Sequence, residues 1–155
     1  FVLRKKRLVF SMFACLALVL GLAACSVRTP VTAEAFKGAA EELGFTVEDK
    51  SSSAAGTQGV RTYYVCTNSG TNQVFYLGFD SKEDSYSFYN TIKEGIAGND
   101  PSVQTVVESD SYCRYVCSVG DTVHTLVRID NTFVYTTGSS ADKAELDDLL
   151  KKIGY

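Results

Sequence analysis

The sequence predicts an α+β domain: an antiparallel sheet of about five to seven strands with three helices packed mainly on one face. Three observations carry this. Three stretches set apolar residues at helical spacing behind a capping residue, the first and last of them closed by a glycine. Runs of β-branched and aromatic residues fill most of the remainder. The breaks between the later runs are short enough for tight turns, which join antiparallel neighbours.

Thr32 is placed to cap the first helix, with Glu34 at the positive end of the helix dipole. Phe36, Ala39, Ala40 and Leu43 form its apolar stripe, and Gly44 ends it. Residues 51–59, Ser-Ser-Ser-Ala-Ala-Gly-Thr-Gln-Gly, have the composition of a mobile loop inside the domain. Residues 61–66 and 73–79 read as a hairpin around a loop of Thr, Asn, Ser and Gly. Ser81 and Asp84 open the second helix as a capping box does, with Asp shorter than the preferred Glu. Tyr89, Ile92 and Ile96 are its buried stripe, with Phe88 or Tyr86 beside it.

Four strands follow, at 103–108, 112–118, 122–129 and 132–137, broken at Ser109-Asp110, Gly120-Asp121 and Asp130-Asn131. Ser139 or Ser140 opens the last helix, with a stripe of Leu146, Leu149, Leu150 and Ile153, and Gly154 stops it. The order reads helix, three strands, helix, four strands, helix. No residue-level self-similarity accompanies that pattern.

The N-terminal region points to a location. Arg4-Lys5-Lys6-Arg7 precedes an apolar run over 8–24, the charged and apolar parts of an export signal. An uncleaved membrane anchor and ordinary cleavage after small residues are the alternatives. Leu22-Ala23-Ala24-Cys25 resembles the lipobox of bacterial lipoproteins. The resemblance implies cleavage before Cys25 and a diacylglyceryl group, with palmitate-type chains, on its sulfur. Two acyl chains suffice for stable anchoring where one does not, each buried methylene contributing about 0.8 kcal/mol. The chain begins with Phe1 rather than Met, and the lipobox reading does not depend on that residue.

The expected organisation is therefore a signal peptide at 1–24, a lipidated Cys25 with a short tether at 25–31, and one domain at 32–155. The 131 residues from Cys25 onward are enough for one core and too few for two. The tether reaches on the order of 20 Å when extended. Without its leader the chain holds 11 Lys and Arg against 18 Asp and Glu, a net charge of −7. That balance disfavours nucleic acid and anionic headgroups as partners.

The chain also resembles small, uncharacterised lipoproteins of Gram-positive bacteria, through the lipobox, "ELGF" at 42–45, "RIDNTFVY" at 128–135 and the closing "LLKKIGY". These motifs are caps, a turn and core strands. The resemblance implies a lipid anchor on the extracytoplasmic face of the cell membrane and brings no activity with it.

Candidate chemistry is sparse. Beyond Cys25 the outer domain has Cys66, Cys113 and Cys117, an odd number that allows one bridge or none. Cys113 and Cys117 lie four residues apart on one strand, about 13 Å, too far for a shared metal or a disulfide. Each could separately meet Cys66. A two-residue turn at Gly120-Asp121 sets Val119 opposite Thr122, Cys117 opposite His124 and Tyr115 opposite Leu126, and sets Arg128 opposite Phe133 across the next turn. A thiol beside the only histidine is the skeleton of a nucleophile and its base, but no orienting Asn or Asp and no oxyanion hole accompany it. The sequence holds no phosphate loop, nucleophile elbow or paired-histidine metal motif, so neither a cofactor nor an enzymatic activity is expected.

The face carrying Cys117, His124, Tyr115, Leu126, Arg128, Phe133 and Tyr135 is aromatic and mixed. Tyr115, His124, Arg128, Phe133 and Tyr135 form a candidate partner surface; the competing reading makes this face the second half of the core. The opposite face, with Val116, Val123, Val127, Ile129 and Val134, is expected to take the helices. Two functions remain. The first is a non-enzymatic accessory or protein-interaction module at the cell surface, which a flat aromatic patch would favour. The second is a lipoprotein that binds a small ligand or cell-wall fragment, which a deep pocket would favour.

Overall fold

The computed structural model describes residues 27–155. The expected signal peptide, the lipobox and the lipid attachment at Cys25 lie outside these residues. The elements run α1 (Ala33–Glu42), β1 (Thr46–Asp49), a 3-10 turn (Ser51–Ala54), β2 (Val60–Thr67), β3 (Gln73–Phe79), α2 (Lys82–Ala97), β4 (Ser102–Glu108), β5 (Tyr112–Val119), β6 (Thr122–Ile129), β7 (Thr132–Ser139) and α3 (Lys143–Lys152). One seven-stranded sheet takes the order β1-β2-β3-β7-β6-β5-β4, and every pairing is antiparallel. The fold is α+β. Among the described residues no helix is long and apolar enough to cross a membrane.

Local chemistry sets the starts of α1 and α2 where the sequence places them. α3 starts later than expected, at Lys143 after Asp142, because Ser139 and Ser140 lead into a 3-10 turn over Ser140–Asp142 instead of capping the helix. The Thr32 hydroxyl accepts the Ala35 N–H at 3.2 Å. The Ser81 hydroxyl accepts the Asp84 N–H at 3.1 Å and donates to the Asp84 carboxylate at 2.9 Å. Asp84 is one methylene shorter than Glu, and in place of the capping-box contact to the cap's backbone it takes the cap's hydroxyl. Gly44, at φ 84°, follows the α1 cap and lets Phe45 N–H reach back to the Ala40 carbonyl at 3.0 Å.

The register read from the two short turns is the one observed. Val119 pairs with Thr122, Cys117 with His124, Tyr115 with Leu126 and Arg128 with Phe133. The third early strand is β1, which pairs with the far half of β2.

Helices lie on both faces. On the first, α1 and α3 pack Phe36, Ala40, Leu146, Leu149 and Leu150 against Val74, Tyr76, Val127, Ile129 and Val134. On the second, α2 packs Tyr89 and Ile96 against Leu77, Phe79, Tyr115, Cys117, Leu126 and Phe133. Two of three helices thus share a face, as expected, while α2 builds a second apolar layer on the side with Cys117 and His124. Its position follows from connectivity. β3 is central and β4 is the far edge, so the linking segment crosses β7, β6 and β5, about 19 Å at four strand spacings. A 16-residue helix spans about 24 Å and fits that diagonal.

Residues 51–59, expected as a loop inside the domain, hold a 3-10 turn at Ser51–Ala54 and are hydrogen-bonded to their neighbours at both ends. Lys50 N–H donates to the Tyr63 carbonyl at 2.7 Å, Tyr63 N–H to the Ser51 hydroxyl at 3.0 Å, and Asp80 N–H to the Gly59 carbonyl at 2.8 Å. Only at its end does a small residue allow a close approach. Gly59, at φ 73°, has no room for a side chain: a Cβ there would sit 2.3 Å from Asp84 Oδ2.

Candidate functional site

The face with Cys117 and His124 divides into a covered part and an open part. Beneath α2, Tyr115 and Phe133 are buried and Arg128 is 0% exposed. These three residues are therefore core, a correction to the candidate surface that includes them. His124 and Tyr135 are half-buried beyond the helix.

Arg128 explains its own burial. Its guanidinium donates to the carbonyls of Asp130 at 2.9 Å, Ser109 at 3.1 Å and Asp110 at 2.7 Å. It also faces the Tyr86 ring, 5.1 Å from its centroid. The planar fork thus pins the β4–β5 turn to the β6–β7 turn, a task suited to several fixed donors. Its Nε has no hydrogen-bond partner. A charged residue that reads as surface in the sequence is a staple between two loops.

The cysteines do not form a centre. Cys66, Cys113 and Cys117 are all buried and free. Cys66 belongs to the α1/α3 layer and the other two to the α2 layer, so the sheet separates them and no bridge to Cys66 is possible. Burial pushes the Cys66 thiol up to about 12. Burial also raises Cys117, against a smaller opposing effect of its hydrogen bond with Tyr115. Cys117 and His124 do stand opposite each other, but His124 Nδ1 is 2.7 Å from Tyr135 Oη. Burial lowers the His124 pKa. A raised thiol pKa and an imidazole Nδ1 bonded to a tyrosine are features that packed pairs share. Among the described residues no three His, Cys, Asp or Glu side chains gather as a metal site would need.

What the face does hold is a groove. Between α2 and the 3-10 turn lies a half-open cavity of about 320 Å³. Its floor is Phe75, Leu77, Phe133 and Tyr135; Phe88 and Ile92 of α2 form one wall, and Ala54, Val60 and Tyr63 are on the other side. Phe75 and Tyr135 stack with ring centroids 5.5 Å apart. Its lining residues that carry a hydroxyl are Ser53, Thr57, Tyr63 and Tyr135. Of these, Ser53 donates to the Lys50 carbonyl and Tyr135 bonds His124, and no charged side chain lines the groove. Phe133 and Tyr135 come from the predicted set, whereas the wall residues are new. A clue existed in α2, whose apolar stripe is wide enough that Phe88 and Ile92 reach past the face filled by Tyr89 and Ile96.

A second cavity, about 340 Å³, lies by Lys82, Glu83, Tyr86, Glu108, Ser109 and Asp110. Its charges are largely satisfied. Lys82 and Asp110 pair at 2.6 Å, which raises the lysine and lowers the carboxyl, and Glu108 pairs with Lys93. The apolar groove is the better candidate. No protein-family model, curated protein or solved structure matches this chain.

Proposed function

We propose that this chain is a membrane-anchored extracytoplasmic lipoprotein, diacylated at Cys25, that acts without catalysis by binding a small ligand in the α2 groove. The observation that carries the binding reading is the groove's form. It is concave and aromatic with a few hydroxyls, the usual make-up of a small-molecule site and unlike a flat protein-docking patch. Its volume is at the low end of ligand pockets and it has no charged lining. The part of the ligand that enters is therefore uncharged and compact, such as one aromatic ring or a short branched acyl chain, with at most a hydroxyl-type polar group. The buried, neutral thiols and the His124–Tyr135 bond support a non-enzymatic role.

The test fills the groove without touching its floor. Ala54 is nearly buried and lines the cavity, so Ala54→Phe occupies it. The parent chain should bind the fluorescent probe N-phenyl-1-naphthylamine saturably, with amide shifts centred on Phe75, Ile92 and Tyr135, and Ala54→Phe should abolish both at unchanged melting temperature. Binding that is unaffected by Ala54→Phe, or shifts spread away from the groove, would overturn the assignment. Anchoring has its own test: Cys25→Ala should remove incorporation of a fatty-acid analogue, and equal labelling of both chains would refute it.

The protein-interaction reading keeps one specific observation in its favour, the exposed valines of edge strand β4.

A further inference from the structure

We propose that residues 28–31 clasp the anchored chain to one end of the sheet and so turn that end, with its β4–β5 and β6–β7 turns, toward the lipid headgroups. The partner is the bilayer surface, and the proposal rests on the diacylated Cys25 put forward above. These four residues are not a free tether. The Val31 N–H donates to the Tyr155 hydroxyl at 3.1 Å, and the Tyr76 hydroxyl donates to the Val31 carbonyl at 3.1 Å. Tyr155 is buried, and its hydroxyl is bonded to that of Thr132 as well. The Arg28 guanidinium lies over the Tyr112 ring, 4.1 Å from its centroid. Between these two holds, Pro30 fixes its own φ and restricts Thr29 to extended backbone, so little freedom is lost in closing the clasp.

Both holds are at the same end. Tyr112 pairs with Ile129, and Ile129 with Thr132, a row across β5, β6 and β7 that borders the 109–111 and 130–131 turns. Cys25 precedes Arg28 by three residue steps, a reach of about 10 Å. A sulfur held by acyl chains in the bilayer therefore keeps this end at the headgroups. Thr122, at the other end of β6, is seven residues from Ile129, about 23 Å farther along the strand. A tether of 10 Å cannot turn the domain over and bring that far end down in place of the near one. Tilting onto the helices of the first face is opposed by charge. α1 and α3 expose more carboxylates, Glu34, Glu41, Glu42, Glu145 and Asp148, than lysines, and an anionic bilayer repels such a surface.

The sequence contains no tryptophan, so one introduced at each end in turn reports its distance from the membrane without background. The full lipidated chain is reconstituted in vesicles of phosphatidylcholine and phosphatidylglycerol that carry dansyl-labelled headgroups. Ser111→Trp and Thr122→Trp both fall at exposed positions. Energy transfer to dansyl should be several-fold more efficient from position 111 than from position 122. Arg28→Ala combined with Tyr155→Phe removes the ring stack and the hydroxyl that holds Val31. In that background both chains should stay acylated and folded, and the difference between the two positions should shrink. Equal transfer from the two positions in an acylated chain, or a difference that the double substitution leaves unmoved, would overturn the clasp while leaving the anchor in place. A parent chain that takes up no fatty-acid label would overturn the anchor reading, and the clasp with it.

Discussion

Replacing Arg128 with Met should destabilise the domain by about 2–4 kcal/mol. The substitution removes three hydrogen bonds from a charged donor to carbonyls of Ser109, Asp110 and Asp130, each worth about 1.5 kcal/mol or more. Against this stands relief from burying a guanidinium whose Nε has no partner, a desolvation penalty of a few kcal/mol that methionine escapes. The carbonyls are in turns, where water can replace some of the lost donors, so the balance falls at the middle of the range for core changes. Arg128→Lys separates charge from geometry. Lysine keeps the charge buried but is a compact point donor that cannot span carbonyls on two turns, so it should be at least as destabilising as methionine. Urea denaturation of both variants, with m-values compared, is the assay. A lysine variant as stable as the parent, or a neutral methionine variant, would refute the stapling argument.

Three further outcomes follow from the geometry. Gly59→Ala should cost about 1–3 kcal/mol through its positive φ and the clash with Asp84, and in an Asp84→Ala background the cost should shrink, which a double-mutant cycle by thermal melting measures. Phe133→Ala should cost about 3–5 kcal/mol, whereas half-buried Tyr135→Ala should cost about 2 kcal/mol; equal losses would mean that Tyr135 is as deeply packed as Phe133. Because burial lowers the His124 pKa below its ordinary 6.5, the unfolded chain binds more protons as pH falls below that value, so His124 contributes a loss of stability on acidification from about that pH downward; His124→Gln should remove this slope in pH-dependent melting, and an unchanged slope would refute it.

How much of this is legible in sequence depends on how far apart the causes lie. The caps at Thr32 and Ser81 and the register around Gly120-Asp121 involve neighbours within a few residues, and local patterns report them. β1 is harder to see. Its four residues, Thr-Val-Glu-Asp, carry one apolar side chain, and it exists because β2 offers an edge. In residues 51–59 composition reports turn formers and is blind to the distant partners, Tyr63 and Asp80, that bond Ser51 and Gly59. Arg128 misleads for the same reason: its carbonyl partners on the 109–110 turn lie about twenty residues away. The separation of Cys66 from Cys113 and Cys117 needs the strand order, which no spacing supplies.

The groove's position has a topological cause. The link from central β3 to edge β4 must cross three strands, and a helix laid on that diagonal covers one triangle of the sheet face and leaves the other bare. The bare triangle lies over β2, β3 and β7, where Tyr63, Phe75 and Tyr135 project. Residues 51–59 return across part of it, tied at Ser51 and Gly59, and meet α2 only at its first turn, where Gly59 lies against Asp84. The gap between a helix that cannot turn and a loop that is pinned at both ends is the groove. Its width is therefore set by these two boundaries, and the Gly59–Asp84 contact is where they meet. A side chain at position 59 would push the pinned segment away from the helix, so a variant far from the groove floor should change what the groove can hold before it changes the fold.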